Sequence, residues 1–172
     1  MQLNNRTYSF LLLIILLGFF VLKIPDLHLP YFWDELGVYS RSSLYLAANG
    51  PGVMPANLPT ELSRGHPLLF PFLFGWGYKI FGGSVLTGHL MALTISVFLL
   101  ASLYYMASKA VSPLVGILTV VLLISQPVFY AQATLVLPYI MLAIFCLWAL
   151  YAFYRKRLLW FALFACAAMM TK

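Results

Sequence analysis

The sequence predicts an all-α, polytopic membrane protein: about five spanning helices, with further interfacial helices in a long first outer loop. Three observations predict it. Hydrophobic residues make up 63% of the 172 and charged residues only 8%, and mean hydropathy is +0.95. A soluble domain of this length has no interior large enough to hide so much apolar surface. Apolar runs of roughly 17–25 residues recur along the chain, the length a helix needs to cross ~30 Å of hydrocarbon. The formal charge is +6, and no basic patch interleaved with aromatics lies outside the runs. The charge is therefore a topology signal, and nucleic acid is not an expected partner.

The first run, Tyr8–Ile24, has no small-residue cleavage site behind it, which predicts an anchor and not a removed signal peptide. Residues 25–83 form the loop that follows. In "YFWDELGVYS", residues 31–40, two of the chain's four acids stand side by side directly behind an aromatic run. Asp34 is placed to cap a helix reaching about Ala48, stopped by "NGPG" at 49–52. The apolar stripe of that helix (Leu36, Tyr39, Leu46, Ala47) is weak and broken by "SRSS", which predicts a surface-lying element. "NGPGVMPANLPTELSRGHP" then spends four prolines and three glycines, a constrained non-helical connection.

The segment "PLLFPFLFGWGYKIFGG", 67–83, is short, carries Pro71, Gly75, Gly77 and Lys79, and is rich in the aromatic residues that favour the membrane–water interface. Charge decides whether it crosses. With Arg6 cytoplasmic, a crossing at 67–83 would put Arg155-Lys156-Arg157 outside, against the positive-inside rule. With 67–83 in the interface, Arg6, Lys109 and Arg155–Arg157 all fall inside. The remaining runs, 84–108, 112–131, 134–154 and 158–171, complete five spans. The chain thus divides into a first span (1–24), an outer loop (25–83) and four further spans (84–172).

This arrangement gathers the reactive polar side chains at the outer face. Asp26, Asp34, Glu35, Glu61, Arg64 and His66 all lie in the loop, and no acid follows Glu61. The turn "SQPVFYAQAT" (125–134) and the terminal Thr171-Lys172 return to the same side. Each residue also has a structural reading: Asp34 as a helix cap, Glu35 as an anion at a helix start, His66 as a packed ring and Lys172 as a snorkelling cation. Position behind Tyr31-Phe32-Trp33, at the edge of low dielectric, favours a chemical role for the acids. Cys146 and Cys166 fall inside apolar runs and read as inert buried thiols. No P-loop, GxSxG or zinc-ligand spacing is present, so no residue set here points to a metal or another cofactor.

The order of these motifs carries a resemblance. One span is followed by "WDE" opening a loop helix, then "GHPLLFPFLFGWGYKIFGGS", a span, the "SQPVFYAQATLVLP" turn and a terminal "MMTK". This resembles the N-terminal part of the C-type membrane glycosyltransferases, among them the bacterial relatives of dolichyl-phosphate-mannose protein mannosyltransferases and the lipid A aminoarabinose transferases. The resemblance implies transfer of a sugar, with inversion, from a polyprenyl-phosphate donor to an extracytoplasmic acceptor, with membrane lipid as surroundings. It implies that Asp34 is the catalytic carboxylate at the acceptor, that Glu35 completes the acidic pair, and that His66 before Pro67 lies beside the donor phosphate. It assigns Thr171-Lys172 to that phosphate as well, and Arg64 joins the donor-binding residues by its place in the loop. The chain departs from the family pattern in two places: Leu137-Pro138-Tyr139 stands where many relatives carry an acid, and His89 stands for an arginine early in the second span. Relatives continue well past the point matching Lys172, so the chain is expected to be a fragment, inactive alone. The alternatives are a non-catalytic, lipid-binding remnant and a transporter-like membrane protein.

Overall fold

The computed structural model describes residues 4–172. All regular structure among them is helical: α1 Asn5–Leu22, α2 Ser40–Asn49, α3 Thr60–Ser63, α4 Leu69–Phe81, α5 Val85–Ala110, α6 Pro113–Ile124, α7 Pro127–Gln132, α8 Tyr139–Tyr154 and α9 Leu158–Thr171. Short 3-10 turns at Pro25–His28 and Pro55–Asn57, and a π-helical turn at Glu35–Tyr39, fill parts of the loops.

Two helical stretches are long and apolar enough to cross a membrane, Arg6–His28 with 23 residues and Val85–Ala110 with 26. The second covers about 39 Å at 1.5 Å per residue. The expected spans at 112–131 and 134–154 are shorter than the apolar runs that suggested them. Pro127 has no N–H to continue the ladder, so the first divides at Ser125-Gln126 into α6, of 12 residues, and α7, of 6. The second starts only at Tyr139, because residues 134–138 form an irregular turn. α9 has 14 residues.

α1 leaves Phe10, Leu13, Leu17 and Val21 exposed and packs its other side on α5 and α6. Phe19, Leu93, Leu100, Val120, Phe129 and Ile144 form the central cluster there. Ser84 caps α5 by accepting from the Thr87 N–H at 3.1 Å, and Ser112 caps α6 with Pro113 at its first position. Gly116 lets α6 approach α5: a Cβ there would stand 2.9 Å from the Tyr104 carbonyl oxygen.

The loop helices differ from the surface-lying picture. α2 is packed tightly on α4, with Ser40, Ser42, Ser43 and Leu46 buried. Its serines go inside because their hydroxyls fold back on their own helix: Ser42 donates to Val38 O and Ser43 to Tyr39 O, each at 2.7 Å. Small side chains then allow close approach, and a Cβ on Gly75 would stand 3.1 Å from Leu46 Cβ. α4 buries the stripe Phe70, Phe74 and Tyr78 while Trp76, Ile80 and Phe81 stay exposed. Its 13 residues cover about 20 Å, close to the length of α9 with 14, so length alone does not separate it from the expected spans.

The cysteines also differ from expectation. Cys146 and Cys166 are both free and exposed on α8 and α9. These helices bury mainly other positions, such as Met141, Ile144, Ala149 and Ala152 on α8 and Ala168 on α9.

The polar groups divide between the two ends of the bundle. Lys109 and Arg155 line one cleft, and Lys109 shares another with Ser9 of α1. At the opposite end of α5, His89 meets the loop that carries Glu35.

Candidate functional site

The acidic pair is built by an irregular turn. Trp33 adopts a left-handed conformation, φ 39°, and is 79% exposed. The five residues Glu35–Tyr39 then wind as a π-helical turn before α2 begins. Such strained turns are held only when the surroundings over-determine them. Here Glu35 does so. Its side chain is 1% exposed. Oε2 accepts from the Phe32 N–H at 2.9 Å, and Oε1 accepts from the Val136 N–H at 2.6 Å. Oε1 also lies 3.2 Å from His89 Nε2. His89 is equally buried, and its Nδ1 lies 3.2 Å from the Leu27 carbonyl oxygen. Both ring nitrogens thus face oxygen atoms. One carboxylate and one imidazole tie together four segments: the end of the 3-10 turn, the acidic turn, α5 and the 134–138 turn.

Asp34 faces the other way. It begins the π-helical turn as expected, but its side chain makes no cap hydrogen bond, and it is exposed. The capping role is therefore corrected: the backbone at this start is held by Glu35, reaching back to Phe32, and the Asp34 carboxylate is left free for solvent or ligand.

A second layer supports the turn. The Tyr31 hydroxyl pairs with the Tyr78 hydroxyl at 2.7 Å and reaches Ser84 O at 3.3 Å. Gly88 makes room for both phenols, since a Cβ there would collide with each oxygen and stand 3.1 Å from Val136 Cγ2. Burial pushes the Tyr31 and Tyr78 phenols above the usual tyrosine value, Glu35 nearby adding to the rise in both. They stay protonated, as the hydrogen-bonded pair requires.

Around Asp34 the remaining residues gather through two tyrosines that the sequence reading did not single out as functional. Tyr39 is buried at the end of the π-helical turn. Burial raises its phenol, and the electrostatic influence of Tyr139 and then of Asp34 adds to the rise. Its ring lies 5.7 Å from that of His66. Tyr139 opens α8, and the Lys172 ammonium sits 3.8 Å from its ring centroid. Tyr39 with His66 and Tyr139 with Lys172 thus form two ring contacts, and Tyr39 is near enough to Asp34 and Tyr139 for electrostatic coupling.

Other expected residues stand apart. Arg64 is exposed in a left-handed turn at φ 48°, with no side-chain partner among the described residues. Thr171 is buried, and its hydroxyl donates to Ala167 O at 2.7 Å, so it is spent within its own helix and is not offered to a phosphate. Lys23, which the sequence reading passed over, is fully buried at the end of α1. Its ammonium pairs with Asp26 Oδ2 at 2.7 Å and lies 3.7 Å from the Tyr130 ring centroid, pinning α1 to α7. Among the described residues no group of three His, Cys, Asp or Glu side chains converges as metal ligands would.

What the arrangement can do chemically follows from its polarity. An exposed carboxylate on a rigidly supported turn can take a proton from an incoming hydroxyl. A histidine, a lysine and neutral phenols around it can hold an anionic leaving group. No protein-family model matches the chain, and no curated protein and no solved structure matches it.

Proposed function

We propose that the chain is the N-terminal membrane part of a glycosyltransferase of the C type, taking its sugar from a polyprenyl-phosphate donor. Five helices cross the bilayer in this reading, with α4 at the interface and the 25–83 loop outside the cytoplasm. Asp34 takes the proton of the acceptor hydroxyl as the acceptor oxygen bonds to the sugar C1. The C1–O bond to phosphate breaks with its electron pair going to the phosphate oxygen, whose charge Lys172 balances and to which the His66 ring can donate a hydrogen bond. Glu35 touches no substrate and holds the turn beneath Asp34. The observation that supports this reading is the division between the two adjacent acids: Glu35 is buried and held by the Phe32 and Val136 N–H groups and His89, whereas Asp34 is exposed, makes no cap hydrogen bond and lies near Tyr39, whose ring meets that of His66.

Donor binding tests the reading directly. The purified chain is expected to bind a prenyl monophosphate more tightly than the uncharged prenol, by about 1–3 kcal/mol, the scale of charge-assisted hydrogen bonds to a partly desolvated anion. The combined variant His66→Gln/Lys172→Gln should erase the difference. Equal affinity of the unaltered chain for the two lipids would remove the donor site.

Topology is checked separately. Single cysteines at Ala56 and Lys156, both exposed, are placed in a background lacking Cys146 and Cys166. An impermeant thiol reagent is expected to label them from opposite sides of the membrane. Labelling of both from one side would end the five-span arrangement, because it would put the outer loop and the Arg155–Arg157 turn together.

A further inference from the structure

The end of the bundle opposite the acids carries a second polar feature. α8 and α9 are joined by Arg155-Lys156-Arg157, where Lys156 takes a left-handed conformation, φ 56°. The turn is closed by the Arg155 N–H to Tyr151 O and the Arg157 N–H to Ala152 O, each at 2.9 Å. This bend sends the two arginines and the lysine in different directions. Arg155 and Arg157 line a cleft of about 270 Å³ with Tyr105, Trp148, Tyr151 and Trp160, whereas Lys156 does not. Neither arginine has an ion pair or side-chain hydrogen bond among the described residues. No acid of this chain is placed to supply one, since all four lie between residues 26 and 61 in the segment at the other end. The walls are rigid: Tyr105 stacks on Trp148 with centroids 6.2 Å apart, and Trp160 stacks on Phe164 at 6.0 Å.

We infer that this cleft is a binding site for the phosphate headgroup of an anionic phospholipid of the inner leaflet. Two arginines lining one cleft, with no acid nearby, suit a phosphate, which accepts paired N–H bonds from a guanidinium. Tryptophan and tyrosine rings beside them sit at the depth where headgroup meets acyl chain. A second cleft of about 370 Å³ adjoins it, sharing Tyr151 and Arg155 and otherwise walled largely by apolar side chains such as Leu103, Leu147 and Leu150. It offers an acyl chain a path directly from the phosphate into the hydrocarbon. The inference rests on the membrane insertion proposed above and not on sugar transfer.

The chain holds four tryptophans, and Trp33→Phe/Trp76→Phe leaves only the two in this cleft as reporters. Reconstituted into vesicles, their fluorescence is expected to be quenched by phosphatidylglycerol brominated near the headgroup end of its chains. Half-quenching should come at a mole fraction lower than for brominated phosphatidylcholine by about fivefold per arginine. Arg155→Gln/Arg157→Gln should abolish the preference, and Lys156→Asn, outside the cleft, should leave it intact. Equal loss in the lysine variant would mean diffuse attraction to a basic face and would overturn the site. So would displacement by free glycerol phosphate at equal potency, which would make the ligand a soluble phosphate and not a lipid. Quenching by neither lipid would refute membrane insertion at this end, whereas equal quenching by both would refute the headgroup site alone.

Discussion

Glu35→Ala is expected to destabilise the protein by about 3–5 kcal/mol, because it strands three buried polar groups at about 1–3 kcal/mol each. The reason is what it leaves behind. The Val136 and Phe32 N–H groups lose their acceptor, and a buried imidazole is left with one ring nitrogen facing nothing. The turn would also lose the side chain that reaches back to hold Phe32, so the left-handed Trp33 and the π-helical winding after it would relax. Glu35→Gln keeps the size and one accepting oxygen and is expected to cost less, about 1–3 kcal/mol. Chemical denaturation in mixed micelles, read by tryptophan fluorescence, measures both. A double-mutant cycle with His89→Leu should show a coupling of at least about 1 kcal/mol, because the pair removed together strands fewer groups than the two single changes summed. A Glu35→Ala protein within about 0.5 kcal/mol of the unaltered one would show that these bonds do not hold the turn.

The same residues show how far the sequence could be read. α5 was legible because it needs nothing from elsewhere: a capping Ser84, an uninterrupted apolar run and a terminal Lys109 give Val85–Ala110 where 84–108 was expected. The first helix was legible for the same reason. α2 was misjudged because hydropathy treats serine as a solvent-facing residue. Ser42 and Ser43 instead satisfy their hydroxyls on the preceding turn of their own helix, which makes them small enough and dry enough to pack against α4. The run at 112–131 hid a break, since its apolar residues continue through Pro127 although the helix cannot.

The acidic pair was visible, but its division of labour was not. Adjacent side chains on a strained turn diverge, and the partners that fix Glu35 lie 54 and 101 residues away at His89 and Val136. Local pattern carries no information about such separations. His89 did leave a signal, as a lone imidazole near the start of an otherwise apolar helix. Tyr39 and Tyr139 left none, because in a chain with eleven tyrosines two more aromatic rings at the interface draw no notice.

Asp34→Asn is expected to lower sugar transfer by roughly 10²–10⁴, the range for removing a general base. The measurement belongs on the complete gene product in membranes, with a labelled polyprenyl-phosphate sugar as donor. The variant is unusually clean. Asp34 makes no cap hydrogen bond and is exposed, so asparagine disturbs no bond that holds the turn, and stability should change by less than about 0.5 kcal/mol. It keeps the size of the side chain but cannot accept a proton at neutral pH. Donor-lipid affinity should also persist, because His66 and Lys172 are untouched. This sets Asp34 apart from Glu35, whose loss should lower stability and transfer together. Three outcomes are therefore separable. Loss of transfer with stability and lipid binding intact supports a carboxylate acting on the acceptor. Loss of all three would make Asp34 a structural residue despite its exposure. Transfer at the unaltered rate would remove Asp34 from the chemistry, leaving the turn that Glu35 and His89 brace as a scaffold for a different group.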